Sequence, residues 1–149
     1  MLSPFLKKLI FVRKFFIIDG RIEILGQRQF LLPSSVMESF KGEDAFEVFN
    51  SEVKKTMVSY AKSIGASSGG MVKSVQDIYE TMGLGKMRII KLDADKKNAV
   101  IRIEKANTNN SDLIGGVISG LFSCVFTKNL TKSNVSVKKK VTYYDVSIK

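Results

Sequence analysis

From Leu113 to Thr127 fifteen residues pass without a charge, in a chain whose formal net charge is +10. The centre of this run is GGVISGLFSC, Gly115 to Cys124. An uncharged stretch of that length belongs inside a membrane or inside a protein core. Crossing a bilayer takes about 20 apolar residues, and the run is shorter, so no membrane span is expected. A buried helix is the expectation. On a helical wheel turning about 100° per residue, Gly120, Ser123 and Thr127 fall within roughly 40° of Gly116, which makes a stripe of small side chains. Opposite lie Ile114, Val117, Ile118, Leu121 and Val125. Glycine inside a helix costs about 1 kcal/mol against alanine, so Gly115, Gly116 and Gly120 together give up roughly 3 kcal/mol of propensity. Something close to the backbone has to offset that loss: a sheet or twin subunit packed very near, or a ligand lying in the groove. Both alternatives stay open at this level.

A chain of 149 residues fits a single domain, 1–149, that buries about two thirds of its unfolded surface. Cys124 is the lone cysteine and there is no histidine, so no internal disulfide and no imidazole is available. A zinc site draws about four ligands from Cys, His and carboxylates, so neither a metal nor another cofactor is expected. A reducing, cytoplasmic setting fits this composition. Lys7 and Lys8 precede LIFV, but Arg13 and Lys14 end that apolar run well short of the roughly 7 to 15 residues of a signal peptide. The cationic excess is concentrated at the two ends of the chain, with Lys7, Lys8, Arg13, Lys14, Arg21 and Arg28 at one and six lysines in 128–149 at the other. If the ends meet in the fold they form an anion-binding patch, and a nucleic-acid-binding regulator is one reading of them. Scattered solvated lysines are the plainer one.

Ser3 as N-cap, Pro4 at the first helical position, and Phe5, Leu9, Val12 and Phe16 at helical spacing predict a first helix. It leads into FFIIDGRIEIL, where Asp19-Gly20 between β-prone runs predicts a hairpin. Gly26 and the strand-like QRQFLLP follow, and Pro33-Ser34-Ser35 opens a short helix around Val36 to Phe40. From Asp44, the apolar positions Phe46, Phe49, Val53, Met57, Tyr60 and Ile64 mark one face of a long helix, with Gly65 as its stop. After the ASSGG linker a second helix carries Met71, Val75, Ile78 or Tyr79, and Met82 before Gly83. KMRIIKL and AVIRIEK read as a second hairpin with Ile101 and Ile103 on one face and Arg102 and Glu104 on the other. Ser111 or Asn110 caps the uncharged helix. NVSV and YYDVSIK then alternate Val135 and Val137, Tyr144, Val146 and Ile148 with polar residues, and Lys138 to Lys140 suit a sheet edge. The pattern predicts an α+β domain, an antiparallel sheet of about four to five strands with helices on one face.

Chemical motifs are sparse. Gly83-Leu84-Gly85 and Gly69-Gly70 match neither phosphate-binding pattern and read as helix ends. Glu43-Asp44 and Asp93-Ala94-Asp95 sit at a helix start and in a turn, where carboxylates are at home. Without histidine, a serine or cysteine nucleophile would need Lys, Asp or Glu as its base, and no spacing singles out such a pair, so no catalytic residue is assigned. Cys124 is either a small core residue or a thiol facing a cavity. Tyr60 and Tyr79 have the same two readings.

The element order, with SPFLKKLIFVRKFF and DGRIEILGQRQFLLPSSV leading into YAKSIG, SVQDIYETMGLG, MRIIKL, AVIRIEK, GGVISGLFSCVF and YYDVSIK, resembles archaeal stand-alone members of the 4-vinyl reductase domain family. The resemblance implies an N-terminal helix and hairpin extension over 1–42 and a family core over 43–149. It implies an α+β fold shared with TRAPP vesicle-tethering subunits and haem-based nitric-oxide sensor domains. It also implies homodimerisation and an internal cavity for small hydrophobic molecules. Many members carry cysteines near the C-terminal strands in a pattern like Cys-x3-Gly-x3-Cys-x-Phe; here the segment reads SVKKKVTYYDVSI, with Tyr144 about where the last cysteine would fall. That departure speaks against a metal or redox role, and the missing histidines against haem. The expected function is a non-catalytic, sensory or regulatory module binding a small hydrophobic ligand, with Tyr60, Tyr79, Met82, Gly116, Gly120 and Cys124 lining the cavity. The alternative is a scaffold resembling the tethering subunits.

Overall fold

The computed structural model describes residues 4–29, 33–64 and 68–149. The expected cap at Ser3, the strand end at 30–32 and the helix stop at Gly65 lie outside the described residues. Helix α1 (Pro4–Phe11) is followed by strands β1 (Phe15–Ile18), β2 (Arg21–Ile24) and β3 (Gln27–Gln29), which form an antiparallel sheet in that order. Asp19 and Gly20 take φ of 49° and 75°, the two positive values that a two-residue hairpin turn requires. The helical spacing over-extended α1. Phe16 is in β1 opposite Glu23, because Arg13 enters the left-handed region at φ 54° and the FFII segment pairs with β2 instead.

A second tight turn joins β2 to β3 through Leu25 (φ 54°) and Gly26 (φ 79°). Leucine rarely takes such a φ, and its burial in the core is what holds it there. A short helix α2 (Ser34–Met37) leads to the long helix α3 (Glu43–Ile64) and then to α4 (Ser68–Thr81). Strands β4 (Lys86–Asp93), β5 (Asn98–Glu104), β6 (Val135–Lys139) and β7 (Tyr143–Ile148) make a four-stranded antiparallel sheet in the order β4-β5-β7-β6. Helix α5 (Ser111–Val125) connects β5 to β6 through a 3-10 turn at Lys132–Asn134. The fold is α+β, with antiparallel sheets of three and four strands.

The four-stranded sheet has one dry face. Ala99, Ile101 and Ile103 of β5 and Tyr144, Val146 and Ile148 of β7 are buried, while Arg102, Glu104 and Asp145 point the other way. On that outer face Arg102 Nε donates to Asp145 Oδ1 at 3.0 Å and its guanidinium stacks on the Tyr143 ring. Helix α4 covers β4, α5 covers β6, and α3 packs along α5. Twelve of the fifteen residues of α5 are buried, so the uncharged run is a central layer between the sheet and α3. Its N-cap is Asn110, whose Oδ1 accepts from Leu113 N at 3.0 Å and whose amide donates to the carbonyls of Met37 and Phe40. Asp112 in the first turn accepts from Gly42 N and from Lys132 Nζ, each at 2.8 Å, and so ties α5 to the start of α3 and to the 3-10 turn.

Candidate functional site

Of the six residues that the sequence brings forward, Gly116 and Gly120 have the most decisive surroundings. A Cβ built on Gly116 would lie 2.6 Å from the carbonyl oxygen of Phe46 and 2.9 Å from Phe49 Cβ. On Gly120 it would lie 2.6 Å from the carbonyl oxygen of Asn50 and 2.8 Å from Val53 Cβ. At Gly116 and Gly120 the small-residue stripe is thus filled by the backbone of α3, which leaves no room there for a ligand. The close neighbour that offsets the glycine cost is another helix of the same chain, a choice the sequence reading did not weigh. Beside and along the stripe, Ser119 Oγ donates to Leu130 O and Ser123 Oγ accepts from Leu130 N, each at 3.2 Å. Asn50 Nδ2 donates to the same Leu130 carbonyl at 2.9 Å, so the stripe also anchors the loop after α5.

Tyr60 of α3 and Tyr79 of α4 both lie in the apolar core, whereas Met82, past the end of α4, is 37% exposed. Tyr60 and Tyr79 thus belong to the same buried cluster, and Met82 lies outside it. The Tyr79 side chain is fully buried, and its hydroxyl has no hydrogen-bond partner among the described residues. Removal from water pushes its pKa well above the ordinary phenol value, so it stays a neutral donor and acceptor. An unpaired buried hydroxyl costs about 1–3 kcal/mol, a state that native cores rarely keep without reason. Helix α4 is held beside it by Gln76 Nε2, which donates to Met87 O of β4 at 2.9 Å.

Cys124 faces a different place. It is half-buried, its Sγ lies 3.8 Å from Lys54 O, and burial raises its pKa while the Lys54 ammonium lowers it. The thiol lines an open groove of about 440 Å³ between α3, the end of α5 and Met71 of α4. A second groove of about 580 Å³ continues it along α3 and shares Lys54, Val58, Lys62 and Asn129 with it. None of these four was singled out in the sequence, although Lys54, Val58 and Lys62 recur every four residues, as one side of a helix does. Among the described residues no cluster of three or more His, Cys, Asp or Glu is placed to hold a metal ion, and no helix is long and apolar enough to cross a membrane.

No family model and no curated protein sequence matches the chain. In three dimensions the chain is similar to the crystal structure of the phenol-responsive sensory domain of the transcription activator PoxR with phenol. The TM-score is 0.64 at 13% sequence identity, over 99% of this chain and 91% of that one. What this protein shares with that sensory domain is its fold, along nearly its whole length.

Proposed function

We propose that this protein is a small-molecule-binding module of 4-vinyl reductase type, with a sensory or regulatory role and no catalysis of its own. The observation that carries the reading is the Tyr79 hydroxyl, buried in the core without a hydrogen-bond partner among the described residues, in a fold shared with a phenol-responsive sensory domain. The ligand class that suits this environment is a small, mainly apolar molecule with one hydrogen-bonding group, a phenol or a compound of similar size. Such a ligand enters by displacing apolar side chains around α4 and gives the Tyr79 hydroxyl the partner it lacks.

Calorimetric titration with phenol and cresols tests the reading. Saturable binding is expected to fall at least tenfold in Tyr79→Phe, because the ligand's polar group then has no partner. The same substitution leaves the unliganded protein as stable as before or slightly more so, since it deletes an orphaned group. Absence of binding for the whole phenol series, or binding unchanged in Tyr79→Phe, overturns the assignment.

The module acts as a homodimer through its N-terminal sheet. Among the described residues strand β1 is an unpaired edge of that sheet, Ile17 and Ile18 are 62% and 58% exposed, and nearby Phe11 is 88% exposed. Apolar side chains left in water at a sheet edge invite contact with another chain. The same surface suits the scaffold reading, and recovery of a stable heteromeric partner in place of a twofold dimer decides for it.

A further inference from the structure

We infer that the groove between α3 and the C-terminal end of α5 is a second binding site, for a single-chain amphiphile with an anionic head. It is separate from the Tyr79 core and stands independently of it. The floor is apolar, with Val58 and Ala61 of α3 and Met71 of α4 beside Cys124. The rim is cationic: Lys54, Lys62 and Lys128 line the groove, and Lys55 stands farther along α3. Glu47 is the single acid lining it, at the opposite end.

The partners of these lysines decide what is free to receive a ligand. Lys55 pairs with Glu52, and Lys54 Nζ donates to Asn129 Oδ1 at 2.9 Å, which braces the wall. Lys62 and Lys128 form no ion pair among the described residues. Both stand near helix C-termini, where a cation is favoured by the helix dipole, but the dipole does not account for an apolar floor between them. Lys128 reaches the groove because Thr127 takes φ 49° and Lys128 N donates back to Ser123 O at 3.1 Å. A β-branched residue is strained at that φ, and the chain keeps the strain at the wall of a concavity.

Charge and shape together select one occupant. A bare anion such as phosphate would satisfy the ammonium groups and leave the floor wet; a neutral apolar molecule would cover the floor and leave the ammonium groups unused. An alkyl chain with an anionic head does both. Its orientation follows from the polarity of the groove. The head lies between Lys62 and Lys128, and the tail runs over Val58 toward the end where the Glu47 carboxylate would repel an anion.

The test is titration of the full chain with decanoate, decanol and inorganic phosphate, read by calorimetry and by the rate of Cys124 alkylation with iodoacetamide. Decanoate is expected to bind, to weaken with rising salt, and to slow alkylation at saturation by at least fivefold. Decanol and phosphate are expected to bind at least tenfold more weakly. The double variants Lys62→Gln/Lys128→Gln and Lys62→Glu/Lys128→Glu should lose decanoate affinity about tenfold and more, in that order, while their phenol titrations match the wild type. Equal binding of decanol, equal binding of phosphate, or decanoate binding that leaves both the double variants and the alkylation rate unchanged overturns the proposal. Recruitment to phosphatidylglycerol vesicles with no binding of decanoate overturns it in favour of a bilayer surface.

Discussion

Strand β5 buries Ala99, Ile101 and Ile103 and turns Val100, Arg102 and Glu104 outward, whereas strand β1 buries none of its four residues and leaves Ile17 and Ile18 in water. Both strands are made of β-branched and apolar residues, so propensity does not separate them. What separates them is cover. Helices α4 and α5 lie over one face of the four-stranded sheet, and the backbone of α3 in turn lies against α5. The three-stranded sheet has the eight-residue α1 beside β1 and reaches the core through Leu25, Phe15 and Ile24, but Ile17 and Ile18 at the far end of β1 stay outside that contact. A pattern of side chains is resolved into inside and outside where something covers it, and at Ile17 and Ile18 nothing among the described residues does.

Substitutions at the helix layer should break that contrast most strongly. Gly116→Ala places a Cβ against the Phe46 carbonyl and is expected to destabilise the fold by about 2–3 kcal/mol, even after the roughly 1 kcal/mol gained in helix propensity. Gly115→Ala meets the Phe46 ring and Val137 Cγ2, both at 3.1 Å, side-chain atoms that can shift, so it should change stability by about 1 kcal/mol or less. Urea unfolding of the pair checks this, and equal stabilities would mean that α3 does not press on α5 at Gly116.

Asn110→Ala comes next. It removes the cap of α5 and orphans the Met37 and Phe40 carbonyls, for an expected loss of about 2 kcal/mol. A loss under about 0.5 kcal/mol in the same measurement would show that the cap is dispensable.

Asp112 sharpens the contrast through pH. The hydrogen bond from Lys132, and then that from Gly42 N, hold its carboxyl below the usual range. A carboxylate with a depressed folded pKa contributes stability that is present above its unfolded value and is lost as pH falls through the folded one. The loss therefore begins as pH drops below about 3.8. Asp112→Asn should remove about 1 kcal/mol at neutral pH and flatten the acid limb of the stability profile. An acid limb unchanged in the variant would place the acid sensitivity elsewhere.

The smallest effect on stability belongs to the exposed end of β1. Ile17→Lys and Ile18→Lys should each leave the unfolding free energy within about 0.5 kcal/mol, because these side chains are already in water. Sedimentation equilibrium should nevertheless show the dimer lost. A dimer that survives both substitutions moves the interface off β1.

The alternation of Ile101 and Ile103 with Arg102 and Glu104 was legible because a strand side chain has only two directions to point. Asp19-Gly20 was legible because the turn it makes demands positive φ at both positions. The Leu25-Gly26 turn was not, since only burial of Leu25 makes that φ tolerable for leucine. The end of α1 was missed because the spacing of Phe5, Leu9, Val12 and Phe16 continues the helical period past the point where pairing with β2 takes over.

The candidate sites were legible only in fragments. Tyr79 was visible as an apolar-face tyrosine, but not its lack of a partner, which depends on every neighbour at once. Lys54, Val58 and Lys62 announce one wall of the groove, while Cys124, Thr127 and Lys128 form the other from residues some seventy positions away. No periodicity within either segment links the two.

The sequence by itself determined that the run from Leu113 to Phe126 is largely buried and needs a close neighbour, because it carries no charge and three helix-weakening glycines. Only the tertiary structure decided that the neighbour is α3, whose carbonyls at Phe46 and Asn50 occupy the space that side chains at Gly116 and Gly120 would need. The physical reason lies in range. Charge, periodicity and turn chemistry act between residues a few positions apart, whereas close packing is a property of surfaces that meet only once the chain has folded.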